Sequence, residues 1–304
     1  MVSVFLLSWN HEKYIEQAVR SILSQTYKEI EVVFVDNNSS DNSFNIALQI
    51  FETAGISFKA FKREKDYNIA ANLNYLLSKS GGQYICILSA DDWVHKDNIL
   101  MKMKPFDSNP KTAMVYSGGY KYYDEIDIYE PFNVISFPED EILQELLKRN
   151  FISGIGCIIR KSVLVELGGW NESFLIEDGD MWVKIVSKYK ITALDKYLFF
   201  YRQHPGAFSS DPFIMLKAKM EWLESNRLLN KYPKITYRNN IDNYLSKLVL
   251  QKTSVKVLAQ VLHHFRFNRL YMILVIKSLL PLKWKQTRYK RGLVRRYGKI
   301  VPDA

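Results

Sequence analysis

The stretch that decides the fold is an apolar, strand-like segment that ends in two carboxylates, Gln83-Tyr84-Ile85-Cys86-Ile87-Leu88-Ser89-Ala90-Asp91-Asp92. In open α/β sheets, ligands bind at the carboxyl ends of strands, and hard divalent cations take oxygen ligands there. A surface turn before a helix would also explain such a pair. Two more polar segments favour a functional interpretation: Asp36-Asn37-Asn38-Ser39-Ser40-Asp41, and Ile176-Glu177-Asp178-Gly179-Asp180 further along the chain.

Strand and helix signals alternate along residues 1–120. The apolar patterns predict strands at Val2–Ser8, Glu31–Val35, Ile56–Phe61 and 83–90, and helices at Tyr14–Gln25, Asp41–Ala54 and Ile69–Lys79. The second helix is expected to be capped by Ser40 or Asp41. Alternation with short connections predicts an α/β fold, with a mostly parallel central sheet flanked by helices and right-handed crossovers.

The net charge of +10 is unevenly distributed along the chain. Residues 215–304 contain 20 Lys/Arg and 4 Asp/Glu, whereas residues 1–214 contain 22 Lys/Arg and 28 Asp/Glu. This asymmetry predicts two modules, an acidic α/β domain over residues 1–210 and a basic helical region over residues 211–304.

Cysteine usage and hydropathy indicate a cytoplasmic protein. The two cysteines, Cys86 and Cys157, lie in apolar runs, so buried thiols in a reducing compartment are expected rather than a disulfide. Val2 to Leu7 reads as a first strand without a basic leader, which argues against a signal peptide. No uncharged apolar stretch reaches about 18 residues, so a membrane-spanning helix is not expected.

The run from Asp36 to Asp41 lies between a predicted strand and a predicted helix. Its short polar side chains can contact a base or ribose, but the same residues favour helix starts, so capping alone remains an alternative. No G-x-G-x-x-G follows an early strand, and no G-x-x-x-x-G-K-[ST] loop is present. If a nucleotide binds, a divalent cation at Asp91 and Asp92 is therefore the expected neutraliser of its phosphates.

The later acidic cluster and a lone histidine are open to two interpretations each. Glu177, Asp178 and Asp180 precede an amphipathic helix, where carboxylates stabilise the N-terminus, and a base that removes a hydroxyl proton would also be well held there. His204 follows an apolar strand, and a single histidine is more often a packing or surface residue than a ligand. No pair of histidines has ligand spacing, so a zinc site is not expected.

Together these segments resemble family 2 glycosyltransferases. The resemblance covers residues 2–210 and rests on Val2–Ser8 with Trp9-Asn10, Tyr14–Tyr27, Val35–Ser43, Gly82–Ile85 with Asp91-Asp92, and Glu177-Asp178, in the family's order. It implies the GT-A fold, with a Rossmann-like nucleotide-sugar-binding half over 1–110 and an acceptor-binding half over 111–210. It also implies inversion of the anomeric configuration by in-line displacement of a nucleoside diphosphate.

The resemblance assigns roles residue by residue. It places Ser8, Trp9 and Asn10 at the nucleotide, with Trp9 stacked on the base, and it gives Asp36 and Asn37 contacts to base and ribose. Asp91 would approach the ribose, Asp92 would bind Mn²⁺ or Mg²⁺, and His204 would supply another metal or phosphate contact. Asp178 would be the general base, with Glu177 and Asp180 in support.

The chain departs from the family pattern at several positions. Ser89 replaces the first Asp of the longer D-x-D-D motif, and Asn37 stands where a second Asp is common. Ile69 and Ala71 occupy a stretch where relatives often carry an arginine for the pyrophosphate. Either Lys62, Arg63 or Lys65 would substitute for it, or the metal would do more of that work. The Q-x-x-R-W signature of processive synthases is absent, which predicts single additions.

The C-terminal segment 283–299 contains eight Lys/Arg with Trp284, Tyr289 and Tyr297, and no acidic residue. It suits peripheral contact with the inner face of the cell membrane, a helical bundle with a solvated basic face, or an oligomer contact. No nucleic-acid-binding module is recognised, so nucleic acid is not an expected partner.

The function expected from the sequence is transfer of a sugar from a nucleotide-diphosphate donor, a UDP-sugar, to a hydroxyl of a glycan or lipid-linked acceptor in bacterial-type surface polysaccharide synthesis. Two alternatives stay open. One is a nucleotidyltransferase, and the other is a catalytically inactive glycan- or membrane-binding protein.

Overall fold

The computed structural model describes residues 1–132, 134–148, 150–211, 214–215, 218, 221–222, 282–298 and 300–302. The chain divides into two compact units. The first contains Met1–Tyr123, Tyr129–Gln203 and Val301–Ala304, and the second contains Asp124–Ile128 and His204–Ile300. Most of the basic helical region predicted over 211–304 lies outside the described residues.

The first part of the chain alternates strands and helices as the sequence predicts. In order, the elements are β1 Val2–Ser8, α1 Ile15–Leu23, β2 Ile30–Asp36, α2 Ser43–Ala54, β3 Phe58–Lys62, α3 Ile69–Lys79 and β4 Tyr84–Ser89. They are followed by β5 Trp93–Val94, α4 Asn98–Ser108, β6 Thr112–Tyr123, β7 Ile128–Phe132, α5 Ile142–Lys148, β8 Ile158–Arg160, α6 Lys161–Glu166, α7 Glu177–Val186 and β9 Lys190–Gln203. The second unit contains a 3₁₀ turn, Phe208–Ser210, and helix α8, Leu282–Tyr297.

The strands form one sheet in the order β3-β2-β1-β4-β8-β6-β9-β5, with β7 on β6. The four strands β3, β2, β1 and β4 are parallel, as expected for strands joined by helical crossovers. From β8 onwards antiparallel pairs appear, β8 with β4 and β6, and β5 with β9. The expected α/β class is confirmed, and the second half of the sheet mixes these antiparallel pairs with one long parallel pair, β6 with β9.

The core lies between the parallel strands and the helices that cover them. Val4, Phe34 and Leu88 from three neighbouring strands pack with Ile22 of α1 and Phe51 of α2. Strands covered on both faces are apolar along nearly their whole length, which explains why β1 and β2 lack a polar alternation. Cys86 and Cys157 are buried free thiols, as predicted.

The strand register fixes where the polar segments emerge. Ser8 at the end of β1 pairs with Asp36 at the end of β2, and Leu7 pairs with Ser89 at the end of β4. The carboxyl ends of the three strands therefore meet at one edge of the sheet. Within the described ranges, no helix is both long enough and apolar enough to cross a membrane.

The start of α2 differs from the prediction. The helix begins at Ser43 and its N-cap position is Asn42, without a capping side-chain hydrogen bond. Ser40 does not cap the helix, because its N–H binds the loop that follows β1. Asp41 does bind the helix start, since its Oδ1 accepts the Ser43 N–H over 3.0 Å while its Oδ2 accepts the Glu12 N–H. Helix α7 begins at Glu177, so the acidic cluster forms its first turn.

Candidate active site

The loops after β1 and β2 are joined by hydrogen bonds. The Asn10 N–H donates to Ser39 Oγ over 2.8 Å, and the Ser40 N–H donates to Asn10 Oδ1 over 2.9 Å. The Glu12 N–H donates to Asp41 Oδ2 over 2.9 Å. The polar run after β2 therefore holds the neighbouring loop in place, and Asn10 adopts a left-handed conformation with φ of 56° within it.

Ser8 and Asp36 lie side by side at the bottom of these loops. Asp36 is fully buried, and its Oδ1 accepts the Ser39 N–H over 2.9 Å. In the part of the chain that the structure describes, neither Asp36 Oδ2 nor Ser8 Oγ has a hydrogen-bond partner. A buried polar atom without a partner costs roughly 1–3 kcal/mol, so a polar ligand at this edge would relieve that cost. Trp9, the next residue, is 47% exposed and can stack on a ring.

Asn37 uses both ends of its side chain to hold the loop after β3. Its Oδ1 accepts the Tyr67 N–H and its Nδ2 donates to the Tyr67 carbonyl, each over 2.9 Å. The guanidinium of Arg63 lies over the rings of Tyr67 and Tyr75, at 3.9 and 4.2 Å from their centroids. Asn37 thus fixes the segment that contains Arg63, one of the three cations considered for the pyrophosphate. Direct contact of Asn37 with a base stays a prediction.

Asp91 and Asp92 are both buried just beyond β4. Asp92 Oδ1 accepts the Arg202 N–H over 2.8 Å, and the Arg202 Nε–H donates to the Asp91 carbonyl over 2.9 Å. Burial and the neighbouring Asp91 raise the pKa of Asp92 well above its usual range, although the Arg202 N–H and charge oppose this. His11 Nε2 lies 3.8 Å from Asp91 Oδ2, and Ser89 Oγ donates to Asp91 Oδ1.

Arg202 is a buried residue of this site that sequence reasoning missed. Its guanidinium donates to the Gln17 side chain and lies over the rings of Tyr14 and Trp93, 4.7 and 4.8 Å from their centroids. It therefore joins α1, the end of β4 and β9. The one signal in the sequence is a cation directly after the apolar run Leu198–Tyr201.

The donor set around Asp92 fits a divalent cation that takes most of its ligands from elsewhere. Within the described ranges, no group of three or more His, Cys, Asp or Glu side chains is placed to hold a metal alone. Asp92 accepts only at Oδ1 among the described residues, and it lies beside a second buried carboxylate. Mg²⁺ in particular binds one or two carboxylates and completes its shell with water and phosphate oxygens.

His204 belongs to the second unit. It is buried there, and its carbonyl oxygen accepts the Ala207 N–H over 3.1 Å. Its assignment as a metal or phosphate contact stays a prediction.

Asp178 is held at the start of α7 by two donors. The Asn150 Nδ2–H donates to Oδ2 over 2.9 Å and the Gly179 N–H to Oδ1 over 2.6 Å. The Gly156 N–H donates to the Ile87 carbonyl of β4 over 2.7 Å. The segment 150–157 therefore connects Asp178 with the C-terminal half of that strand. Two N–H donors suit an ionised carboxylate, the form that a general base requires.

Lys102 also holds the segment 150–157 in place. It is fully buried on α4, and its Nζ donates to the Gly156 carbonyl over 2.8 Å and to Asn98 Oδ1 over 2.6 Å. Burial lowers its pKa to about 8. Gly156 has φ of +63°, and a Cβ there would lie 2.9 Å from Val94, so this turn requires glycine.

The other two acidic residues of the cluster differ from Asp178. Burial and the adjacent Asp178 raise the pKa of Glu177 to about 8, so it holds a proton at neutral pH and can donate a hydrogen bond. Asp180 is buried and pairs with Lys184 one turn along the helix, at 2.7 Å. Asp180 therefore has a structural contact, and the assignment of Asp178 as the base stays a prediction.

The raised pKa of Glu177 predicts a pH-dependent stability. Between about pH 4.5 and pH 8 the folded chain keeps a proton on Glu177 that the unfolded chain releases, so the free energy of unfolding falls as pH rises. Glu177→Gln removes this dependence, and urea denaturation across that range should give a flatter profile than wild type. Glu52→Gln, at an exposed position on α2, is the control. If the free energy of unfolding changed with pH equally in wild type and in Glu177→Gln, the raised pKa of Glu177 would be contradicted.

These elements define an α/β protein that gathers ligand-binding polar groups and carboxylates at the carboxyl ends of its strands. Comparison with known proteins adds the family: the model of "Glycosyl transferase family 2" matches residues 3–168. The chain therefore belongs to glycosyl transferase family 2, which confirms the resemblance seen in the sequence.

Relatives with related sequences carry glycosyltransferase names. The chain is 31% identical over 199 residues to an uncharacterized glycosyltransferase of Rickettsia felis, covering 61% of this chain and 31% of that protein. It is 28% identical over 226 residues to the glycosyltransferase GlyG of Streptococcus pneumoniae, covering 70% and 74% of the two chains. The chain thus spans about a third of the length of the Rickettsia relative and most of GlyG.

Solved structures share the fold at low sequence identity. TarS 1–349 of S. aureus, in complex with UDP-GlcNAc, superposes with a TM-score of 0.62 at 15% identity, covering 96% of this chain and 92% of that one. The mannosyltransferase PcManGT of Pyrobaculum calidifontis, in complex with GDP-Man and Mn²⁺, gives a TM-score of 0.59 at 13% identity, covering 94% and 87%. The expected GT-A type of fold is confirmed.

Proposed function

We propose that the chain is an inverting glycosyltransferase that moves a sugar from a UDP-linked donor to a hydroxyl of a glycan or lipid-linked acceptor. The observation that carries the proposal is the meeting of Ser8, Asp36 and the Asp91–Asp92 pair at one sheet edge, with Asp178 connected to that edge through the segment 150–157. Family membership supports it, because relatives along this region are named glycosyltransferases.

The nucleotide would lie over the loops after β1 and β2. The buried Asp36 Oδ2 and Ser8 Oγ lack partners among the described residues, and a base or ribose offers donors for both. Trp9 would stack on the base. A uridine base is proposed because TarS is described with UDP-GlcNAc, whereas PcManGT is described with GDP-Man, so a guanine donor is the alternative.

Asp92 would hold a divalent cation, Mn²⁺ or Mg²⁺, together with the donor's phosphate oxygens. When bound, such a cation neutralises charge on the departing diphosphate. The Arg202 N–H keeps Asp92 in place, and Asp91 would approach the ribose. Arg63, held between two tyrosine rings, is the cation of this chain proposed for the pyrophosphate in place of the family's arginine.

Asp178 would accept the proton of the acceptor hydroxyl. As the acceptor oxygen forms its bond to the anomeric carbon, the bond from that carbon to the diphosphate oxygen breaks and its electron pair leaves with the diphosphate. Attack on the face opposite the leaving group inverts the configuration. A base fixed by Asn150 and Gly179 on a helix end is pre-positioned for this step.

Product analysis tests the proposal against a nucleotidyltransferase. The full chain is incubated with a panel of nucleotide sugars and Mn²⁺ or Mg²⁺, and the phosphorus-containing products are separated by chromatography. We expect release of a nucleoside diphosphate, largest for a UDP-sugar and lost in chelator. A parallel incubation contains nucleoside triphosphates and a sugar 1-phosphate, and release of pyrophosphate from the triphosphate there would favour the nucleotidyltransferase. No turnover of any substrate would favour a catalytically inactive binding protein.

A further inference from the structure

We propose that helix α8, Leu282–Tyr297, binds the anionic headgroups of a lipid bilayer as a surface helix. The inference concerns the second unit alone and goes beyond the proposed function, because it needs neither a donor nor an acceptor.

The helix carries a strong charge of one sign. Its sixteen residues include seven Lys/Arg and no Asp or Glu. Lys290 forms an ion pair with Glu125 of the same unit, which offsets part of this charge. Such a density of like charge on one helix is self-repelling and is relieved by an anionic surface.

The cations face solvent on a continuous side of the helix. Arg288, Arg291 and Arg295 follow one another at spacings of three and four residues, so they lie on one face, and all are exposed. Leu293 is buried. Of residues 287–297, Leu293 alone is buried, so the helix packs at that position while its basic face is exposed.

Apolar side chains are exposed among these cations. Val294 is 50% exposed and Tyr289 is 53% exposed. Helices that lie in the membrane interface combine basic residues with such apolar ones, which reach the boundary between headgroups and acyl chains. This combination favours a lipid surface over a nucleic acid. A nucleic acid would bind the cations through its phosphates but would not cover Val294.

Co-sedimentation of the full chain with vesicles tests the proposal. Vesicles of phosphatidylcholine with phosphatidylglycerol are compared with vesicles of phosphatidylcholine alone. We expect binding to the anionic vesicles, little to the neutral ones, and release by high salt. The variant Arg291→Glu/Arg295→Glu should partition at least about 25-fold more weakly, because two cations are lost and each contributes on the order of a fivefold gain near anionic headgroups.

The matched control is Lys104→Glu/Lys188→Glu, which makes the same change in net charge at exposed positions of the first unit. It should bind within about twofold of wild type, and the thermal melting of both variants should match wild type. Equal losses in the two double variants would mean that overall charge, not α8, attracts the bilayer. That result would overturn the proposal. So would absence of binding by the wild type, equal binding to neutral vesicles, or binding to duplex DNA without binding to vesicles.

Discussion

Asp178→Asn is expected to lower kcat for sugar transfer by about 10²–10⁴-fold and to leave donor affinity within about twofold. Asparagine has nearly the same shape, and its amide oxygen can still accept the Gly179 N–H. It cannot take a proton from the acceptor hydroxyl. The opposed Asn150 Nδ2–H would lose its carboxylate acceptor, which adds a small cost in stability.

Single-turnover rates and calorimetric titration with the donor separate these effects. The control is Asp195→Asn, an exposed position on β9, which should keep wild-type kcat. If Asp178→Asn retained more than about a tenth of the wild-type kcat, the assignment of the base would be wrong.

Asp92→Asn is expected to abolish the metal-dependent part of donor binding and to lower kcat/KM by about 10²-fold or more, since a bound cation supplies several kcal/mol of charge stabilisation. The fold should tolerate the change. The amide oxygen of asparagine can accept the Arg202 N–H, and loss of one charge relieves the repulsion with Asp91.

Donor binding is measured for both proteins with Mn²⁺ and with chelator. Wild type should bind more tightly with the metal, whereas Asp92→Asn should give one affinity in both conditions. Without metal, the melting temperature of Asp92→Asn should be equal to or above that of wild type. A variant that keeps the full metal response would show that another residue holds the ion.

Much of the parallel half of the fold could be predicted from the sequence. Periodic apolar residues marked β1 to β4 and the helices between them, because these elements are long and joined by short connections. The edge of the sheet where Asp36, Asp91 and Asp92 meet then followed from the common direction of parallel strands. That part of the site is a consequence of topology.

The remaining features depend on contacts between distant parts of the chain. Strand β5 has two residues, Trp93 and Val94, and exists through pairing with Phe199 and Phe200 of β9, more than a hundred residues away. Arg202 is likewise defined by partners on α1 and β4. Periodicity cannot indicate either feature, because their partners lie far away in the chain.

Asn37 illustrates a different limit. From the sequence, its place after β2 predicts contact with a base, and that contact stays a prediction. The structure adds that both ends of its amide bind Tyr67, which the sequence did not indicate. Residue type and position at a strand end indicate where a polar side chain lies but not which neighbour it binds. That choice is made by the loop after β3.

The most direct measurement is a crystal structure of the full chain with a UDP-sugar and Mn²⁺, with the ion located by its anomalous scattering. We expect the base beside Trp9 and Asp36, and the ion between Asp92 and the diphosphate. Asp178 should lie across the sugar from the leaving group. An ion away from Asp92, or a donor in a cleft that does not include both Asp36 and Asp178, would contradict the proposed catalytic centre.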